Sequence, residues 1–430
     1  MVFRSKSELT KALTAWLNQS PSQEGRRSLG DHLPHGDGRV VRTEAEARLV
    51  CSVIDQARNL CGEFEDRHGN YDLSSAIALM QQVGSAEARD TFIQHGLPRL
   101  RKLVRERLSN PKVEHALFAL KVIGYYRQPE DVELFVTAVR APIEPDSFWW
   151  HTAFYGFTEE NACTQLLIDD LSDPLPTEFI RIVFLDTCNA LAVAGKLKEH
   201  PFAAPHGITA LESCLSERNE ELFSHAVSAC TALPFLRSDD RDRLLALASE
   251  HPGVLVRLEA AWVGAKIGKE AGLHALIEFA RDARYSSRAT AYMKELGRES
   301  YIPAEVTQPD FVARADMSEW LAHPSEMGRA PDELTLVDSR ELNWPPSRDK
   351  RRLWVFRYLY KNRDGGTDEG YCMTGSVTWA MFGENTLDLS IEDVYGLHCS
   401  WELMHAESSE APNHRGAAAG RKILERYNPT

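Results

Sequence analysis

The sequence has no C-x-x-C pair and no zinc-ribbon spacing among its eight cysteines. Those cysteines are Cys51, Cys61, Cys163, Cys188, Cys214, Cys230, Cys372 and Cys399, and all but two fall inside apolar helical or strand patterns. That placement points to reduced, buried thiols in a cytoplasmic protein. No run of 18 apolar residues occurs, so no transmembrane helix is expected. The opening "MVFRSKSELTKALTAWLNQS" is basic, but Glu8, Thr10 and Lys11 interrupt any apolar stretch, which argues against a secretory signal. Basic excess is lacking as well. The formal charge of −14 argues against a nucleic-acid partner, which normally meets a basic face. There is no G-x-S-x-G and no phosphate-binding glycine loop, and "DGG" at 364–366 is a hairpin turn signal.

At 430 residues the chain exceeds a usual single core, so several domains or one elongated array are expected. Residues 1–18 form a helix candidate through Leu9, Leu13, Trp16 and Leu17. The stretch 19–42 is rich in Gly, Pro and Ser without periodicity and is expected to be a linker. A helix from about 44 to 65 follows, with Ala47, Val50, Cys51, Ile54, Ala57 and Leu60 as its stripe. Helical patterns then dominate to about residue 300, giving an array over 43–300.

Within that array "VEHALFALKVIG" (113–124) aligns without a gap to "RLEAAWVGAKIG" (257–268). Ala116 matches Ala260, Ile123 matches Ile267 and Gly124 matches Gly268, and Phe118 and Trp262 are both aromatic. A second amphipathic helix follows each. Weaker copies begin near 177, 219 and 286, a spacing of helical solenoid repeats. Small residues (Ala116, Ala119, Ala260, Ala261, Gly264) allow close helix approach, and Gly124 and Gly268 are expected to end their helices. Pro111 and Pro252 fit helix starts.

The stretches "HPGVLVRLEAAWVGAKIGKEAGLHALIEFARD" and "NPKVEHALFALKVIG" resemble HEAT repeats of the bacterial, phycobilisome-lyase type, over about 71–300. The resemblance implies a curved α-solenoid used mostly for protein–protein contact. Related enzymes of this fold class set three tests. The metal hydroxylases use paired His-Glu dipeptides, and this sequence has none. The DNA glycosylases use a basic groove, for which "LPRLRKLVRERL" (97–108) with Arg101 and Arg105 is the best stretch; a solvated outer face is the plainer expectation. The bilin lyases bind an open-chain tetrapyrrole, and no specific motif for that is present. A lyase-like pocket on the concave face stays open as the alternative function.

After residue 300 three β-rich stretches, 332–342, 351–360 and 370–382, alternate with turns and precede a helix at about 390–405, capped by Ser390. This predicts an α+β domain over 301–408, a three-stranded antiparallel sheet plus helix, and a tail over 409–430 that is disordered or partly helical. Strand 351–360 is apolar on both faces, so the sheet needs cover on both, one from the following helix and the other from the last helices of the array, near 286–297.

Two local compositions are candidate sites. Asp31, His32, His35 and Asp37 carry metal-ligand chemistry, but their Gly-rich context favours a solvated loop. "DSFWWHTAFYGF" (146–157) packs six aromatics into ten residues. Some of these build the inter-repeat core. Trp149, Trp150 and Tyr155 are the candidate partner-binding residues, because Trp and Tyr are favoured as interface anchors. The sequence therefore predicts a mainly α protein, an α-solenoid followed by a small α+β domain. It is expected to be a non-catalytic scaffold for another protein, with no catalytic residue, cofactor, metal or membrane partner.

Overall fold

The computed structural model describes residues 7–19, 27–58, 71–141, 143–159, 161–362, 365–382, 386–406, 408, 411–412 and 416–429. The protein is mainly helical, with one antiparallel sheet near its C-terminal end, and divides into two compact units, 1–251 and 252–430. The division falls inside the stretch expected to form one array. Among the described residues no helix is long and apolar enough to cross a membrane.

The first unit contains α1 (Glu8–Leu17), α2 (Leu29–His32), α3 (Glu44–Arg58), α4 (Asp72–Leu79), α5 (Ala86–Thr91), α6 (Leu97–Ser109) and α7 (Ala116–Tyr126). It continues with α8 (Val132–Arg140), α9 (Trp149–Phe154), α10 (Ala162–Ser172), α11 (Glu178–Val193), α12 (Pro205–Leu215), α13 (Phe223–Ala232) and α14 (Ser238–Ser249). The expected stripe of α3 is buried at Ala47, Val50, Cys51 and Ile54; Leu60 and Cys61 lie outside the described residues.

Thr43-x-x-Glu46 forms a capping box at the start of α3: the Glu46 amide donates to the Thr43 hydroxyl, and the Glu46 carboxylate accepts from the Thr43 amide at 3.1 Å. The same carboxylate accepts from the Arg42 amide at 2.8 Å and from the hydroxyl of Ser7, the N-cap of α1. One buried side chain thus ties two helix starts together.

The described part of the expected linker is folded. Leu29, Leu33 and Val41 are buried, and Val41 bridges to Val83. The Leu29 amide donates to Asp72, which also accepts from the Trp16 indole at 3.2 Å. A few apolar residues spaced by short turns, with no helical period, are enough to seat this segment across α1 and α4.

Beyond it, helices α4, α7, α9, α11 and α13 pack each against the next, while α8 packs on α6 and α10. At the α7 contact the chain backbones meet. A Cβ at Gly156 would sit 2.5 Å from the carbonyl oxygen of Gly124, so only glycine fits there. This overturns the expected role of Gly124. It is buried within α7, which runs on to Tyr126 and ends at Arg127, with φ +52°. Pro111 lies in a turn five residues ahead of α7 rather than at its start.

The second unit holds α15 (Val254–Lys266), α16 (Glu270–Arg281), α17 (Ser286–Glu295) and α18 (Pro309–Ala322), then β1 (Glu333–Trp344), β2 (Asp349–Lys361), β3 (Thr367–Thr374) and β4 (Trp379–Ala380), then α19 (Ile391–His405) and α20 (Ala417–Tyr427). Here Gly268 acts as expected: at φ +83° it follows the α15 C-cap, and the Lys269 amide returns to the Gly264 carbonyl at 2.8 Å. Helices α15 and α16 meet at Gly272, whose added Cβ would overlap the backbone of Gly264 and Ala265. The two aligned stretches are therefore alike in sequence but packed differently: α15 closes on its own follower, α7 on α6 and α9. Buried Glu259 accepts from Arg288 and Tyr292, joining α15 to α17.

The sheet order is β1-β2-β3-β4, one short strand more than expected, because Gly375 at φ +104° turns the chain inside the third β-rich stretch. Both faces are covered. Leu353, Val355, Met373 and Trp379 pack with Val394, Cys399 and Leu403 of α19. On the other side Phe356, Tyr358, Tyr360 and Cys372 pack with Ala313, Met317 and Leu321 of α18. The second cover is thus α18, one helix beyond the 286–297 stretch expected to supply it. The expected tail ends in α20, an ordered helix whose Gly420 meets Gly396 of α19 backbone to backbone, with Ile423 buried in the same core.

Two predictions follow from this packing. Gly272→Ala should destabilise the protein by about 1–3 kcal/mol in urea unfolding, because the added methyl meets backbone rather than a movable side chain; an unchanged midpoint would show that α15 and α16 do not touch there. Burial alone would raise the Glu46 carboxyl, but the Ser7, Arg42 and Thr43 hydrogen bonds outweigh it and hold the group below the ordinary range. A carboxyl with a lowered folded pKa adds stability at neutral pH that is lost as pH falls through and below its unfolded value. Glu46→Gln should therefore flatten the fall in stability measured between roughly pH 6 and 3.

Candidate functional site

Helical period decides the fate of the 146–157 aromatics. Trp150 is 0% exposed, its indole N–H donating to the Ile143 carbonyl at 3.1 Å, and with Phe154 and Phe157 it packs edge-on around Phe135 of α8. Phe148, Trp149 and Tyr155 take the other side of the same short helix and are 73%, 47% and 76% exposed. Of the three candidate anchors, Trp149 and Tyr155 are available to a partner and Trp150 is core.

Trp149 forms one wall of a cleft of about 400 Å³. Its floor is one face of α4, where Tyr71, Ser74, Ser75, Ala78 and Gln82 recur at helical spacing. The folded 27–42 segment closes a third side with Gly30, Leu33 and Arg39. The fourth comes from His115, Phe118 and Glu144. Two of these, His115 and Glu144, have positive φ, +61° and +52°, a conformation that costs a non-glycine residue energy and clusters at binding sites.

Aromatic contacts line the cleft and continue past it. Tyr71 lies 5.4 Å from His115, and Phe118 meets Trp149 edge-on at 5.5 Å. His151, one residue further on α9 than Trp150, touches both Phe148 and Phe179 of α11. Lys121 sits over the Phe118 and Trp149 rings, its Nζ 5.1 and 5.6 Å from their centroids. Burial holds its ammonium below the usual lysine range. Beyond Phe179, burial pushes the Asp186 carboxyl up, opposed by a Ser228 hydrogen bond and the neighbouring His151 and His225.

The other candidate chemistry does not assemble. Among the described residues no three His, Cys, Asp or Glu side chains are placed to hold a metal ion, Asp31, His32, His35 and Asp37 included. Seven cysteines are described, all buried and none of them in a disulfide. Most of the basic stretch on α6 is matched to acids: Arg99 pairs with Asp55 at 2.7 Å, Arg101 with Asp131 and Glu130, and Lys102 with Glu106, while Arg105 is exposed. In the second unit, Glu402 accepts from the Trp344 indole at 2.9 Å and from Ser376, and His398 stacks on Trp379, inside a closed core.

No protein-family model, curated protein or solved structure matches the chain.

The split of the aromatics is directly testable. Trp150→Ala should cost about 3–5 kcal/mol of stability as a large core truncation, whereas Tyr155→Ala should leave the melting temperature within about 1 °C, as a surface change does. Equal effects from the two variants would contradict the burial pattern.

Proposed function

We propose that the protein is a non-catalytic interaction module built on HEAT-like helices, and that Trp149 and Tyr155, with Phe148 beside them, form the contact surface for another protein. The observation that carries this is the exposure of three large aromatics within eight residues, 148–155, on one short helix and its turns. Isolated exposed apolar side chains are ordinary, but a cluster of aromatics at the rim of a cleft is the pattern of interface anchors. The succession α4, α7, α9, α11, α13 also suits a solenoid, which presents one side of each helix in a continuous row.

The test uses immobilised full-length protein and lysate from its own cells. A protein retained by the wild type and lost with the double variant Phe148→Ser, Tyr155→Ser, at unchanged melting temperature, supports the proposal. Equal retention of every bound protein by the double variant would remove this surface from consideration.

A further inference from the structure

The cleft beside Trp149 has a shape and lining that a protein-docking role does not require. At about 400 Å³ it lies within the range of small-molecule sites, which run from roughly 300 to 1,000 Å³. Its lining also has the composition of such sites, apolar and aromatic walls with a few converging polar groups. The aromatic part is Tyr71, His115, Phe118 and Trp149. Gln82 and Ser75 add an amide and a hydroxyl that could read polar edges of a ring.

The charges narrow the ligand. Arg39 lines the cleft, and its Nε is taken by the Pro34 carbonyl at 2.7 Å, which fixes the guanidinium and leaves its outer N–H groups for something else. Among the described residues Arg39 has no carboxylate within ion-pair distance, although acids outnumber bases in the chain by 63 to 49. The one acid in the lining, Glu144, faces Arg107 at 3.9 Å. A guanidinium fixed in the lining of an aromatic cleft, with no carboxylate facing it, is an arrangement that an anion would complete.

We propose that this cleft binds a small, flat aromatic molecule carrying one anionic group, its ring against Trp149 and Phe118 and its anion on Arg39. The cleft shares Trp149 with the proposed docking surface, but Phe148 and Tyr155 are not part of its lining. Two ligand sources share this chemistry, mononucleotides and aromatic carboxylates.

Isothermal titration of the full-length protein separates them, with adenosine monophosphate and indole-3-acetate as probes and adenosine and indole as uncharged controls. Saturable binding is expected for at least one anionic probe, about tenfold tighter than its uncharged counterpart, which corresponds to about 1.4 kcal/mol. Binding by the nucleotide alone would assign the site to phosphates, and by the indole acid alone to carboxylates. Arg39→Gln and Trp149→Ala should each weaken binding about tenfold and Arg39→Lys should recover part of the loss, while Tyr155→Ser should leave it unchanged. No saturation by either anion, equal affinity for charged and uncharged probes, or full affinity in Arg39→Gln would each overturn the proposal. Loss of partner retention in the Phe148→Ser, Tyr155→Ser variant with ligand binding intact would show the two surfaces to be separate.

Discussion

The described structure depends most on helices meeting backbone to backbone. At three helical contacts a glycine sits where a Cβ would overlap the backbone it meets: Gly156 against Gly124, Gly272 against Gly264, and Gly420 against Gly396. Dispersion falls off steeply with a small gap, so helices brought this close gain contact along their whole length. Close approach also dictates where large side chains go. Beside Gly124 the ring of Phe157 fills the space a side chain would need, and Phe135, Trp150 and Phe154 complete one dense cluster. The remaining aromatics of that segment have no room inside and are left on the surface.

Electrostatics follows a similar division. Most arginines of α6 are matched to acids on neighbouring elements, so the local basic stretch presents little free positive charge. These pairs are partly exposed and contribute modestly to stability. Glu259 is different: it is buried, and two donors from α17 satisfy it, so losing Arg288 would leave an acid without its countercharge in the interior. Against this matched background, Arg39 in the cleft stands out because the one acid in the lining, Glu144, faces Arg107.

Local patterns in the sequence were good guides wherever one residue's role depends on its own helix or strand. The alternation in 351–360 correctly separates Leu353 and Val355 from Phe356, Tyr358 and Tyr360, and both faces are indeed covered. Ser390 caps α19 through the Asp393 amide, as its position suggests. Patterns misled where the deciding contact is distant in sequence. Gly124 and Gly268 occupy matching positions, but Gly268 faces open space and turns the chain, whereas Gly124 is pressed against the residues after α9. An alignment sees two glycines; only packing distinguishes a turn from a crossing point. The tail is partly helical, one of the two expected outcomes, and what decides it is again a distant contact. Its Ala- and Gly-rich run looks weak in isolation, yet the absence of side chains is what lets Gly420 lie on Gly396.

The cleft shows why a binding site of this kind leaves little trace in a single sequence. Its lining comes from the 27–42 segment, from α4, from the turn before α7 and from the start of α9, spans separated by roughly 30 to 40 residues each. No short motif joins them. The one local signal was the aromatic run at 148–157, and that signal mixes two roles, core and wall, in alternate turns of one helix. Trp150 and Trp149 are adjacent in sequence and point to opposite environments, because neighbouring residues on a helix are about 100° apart. Arg39 would have been set aside with the expected linker. It gains meaning only because Leu29, Leu33 and Val41 bury that segment and hold the guanidinium in the lining of the cleft. A segment without periodicity can therefore still be a wall, provided a few apolar residues anchor it, and the energy that fixes the site then comes from residues that never touch a ligand.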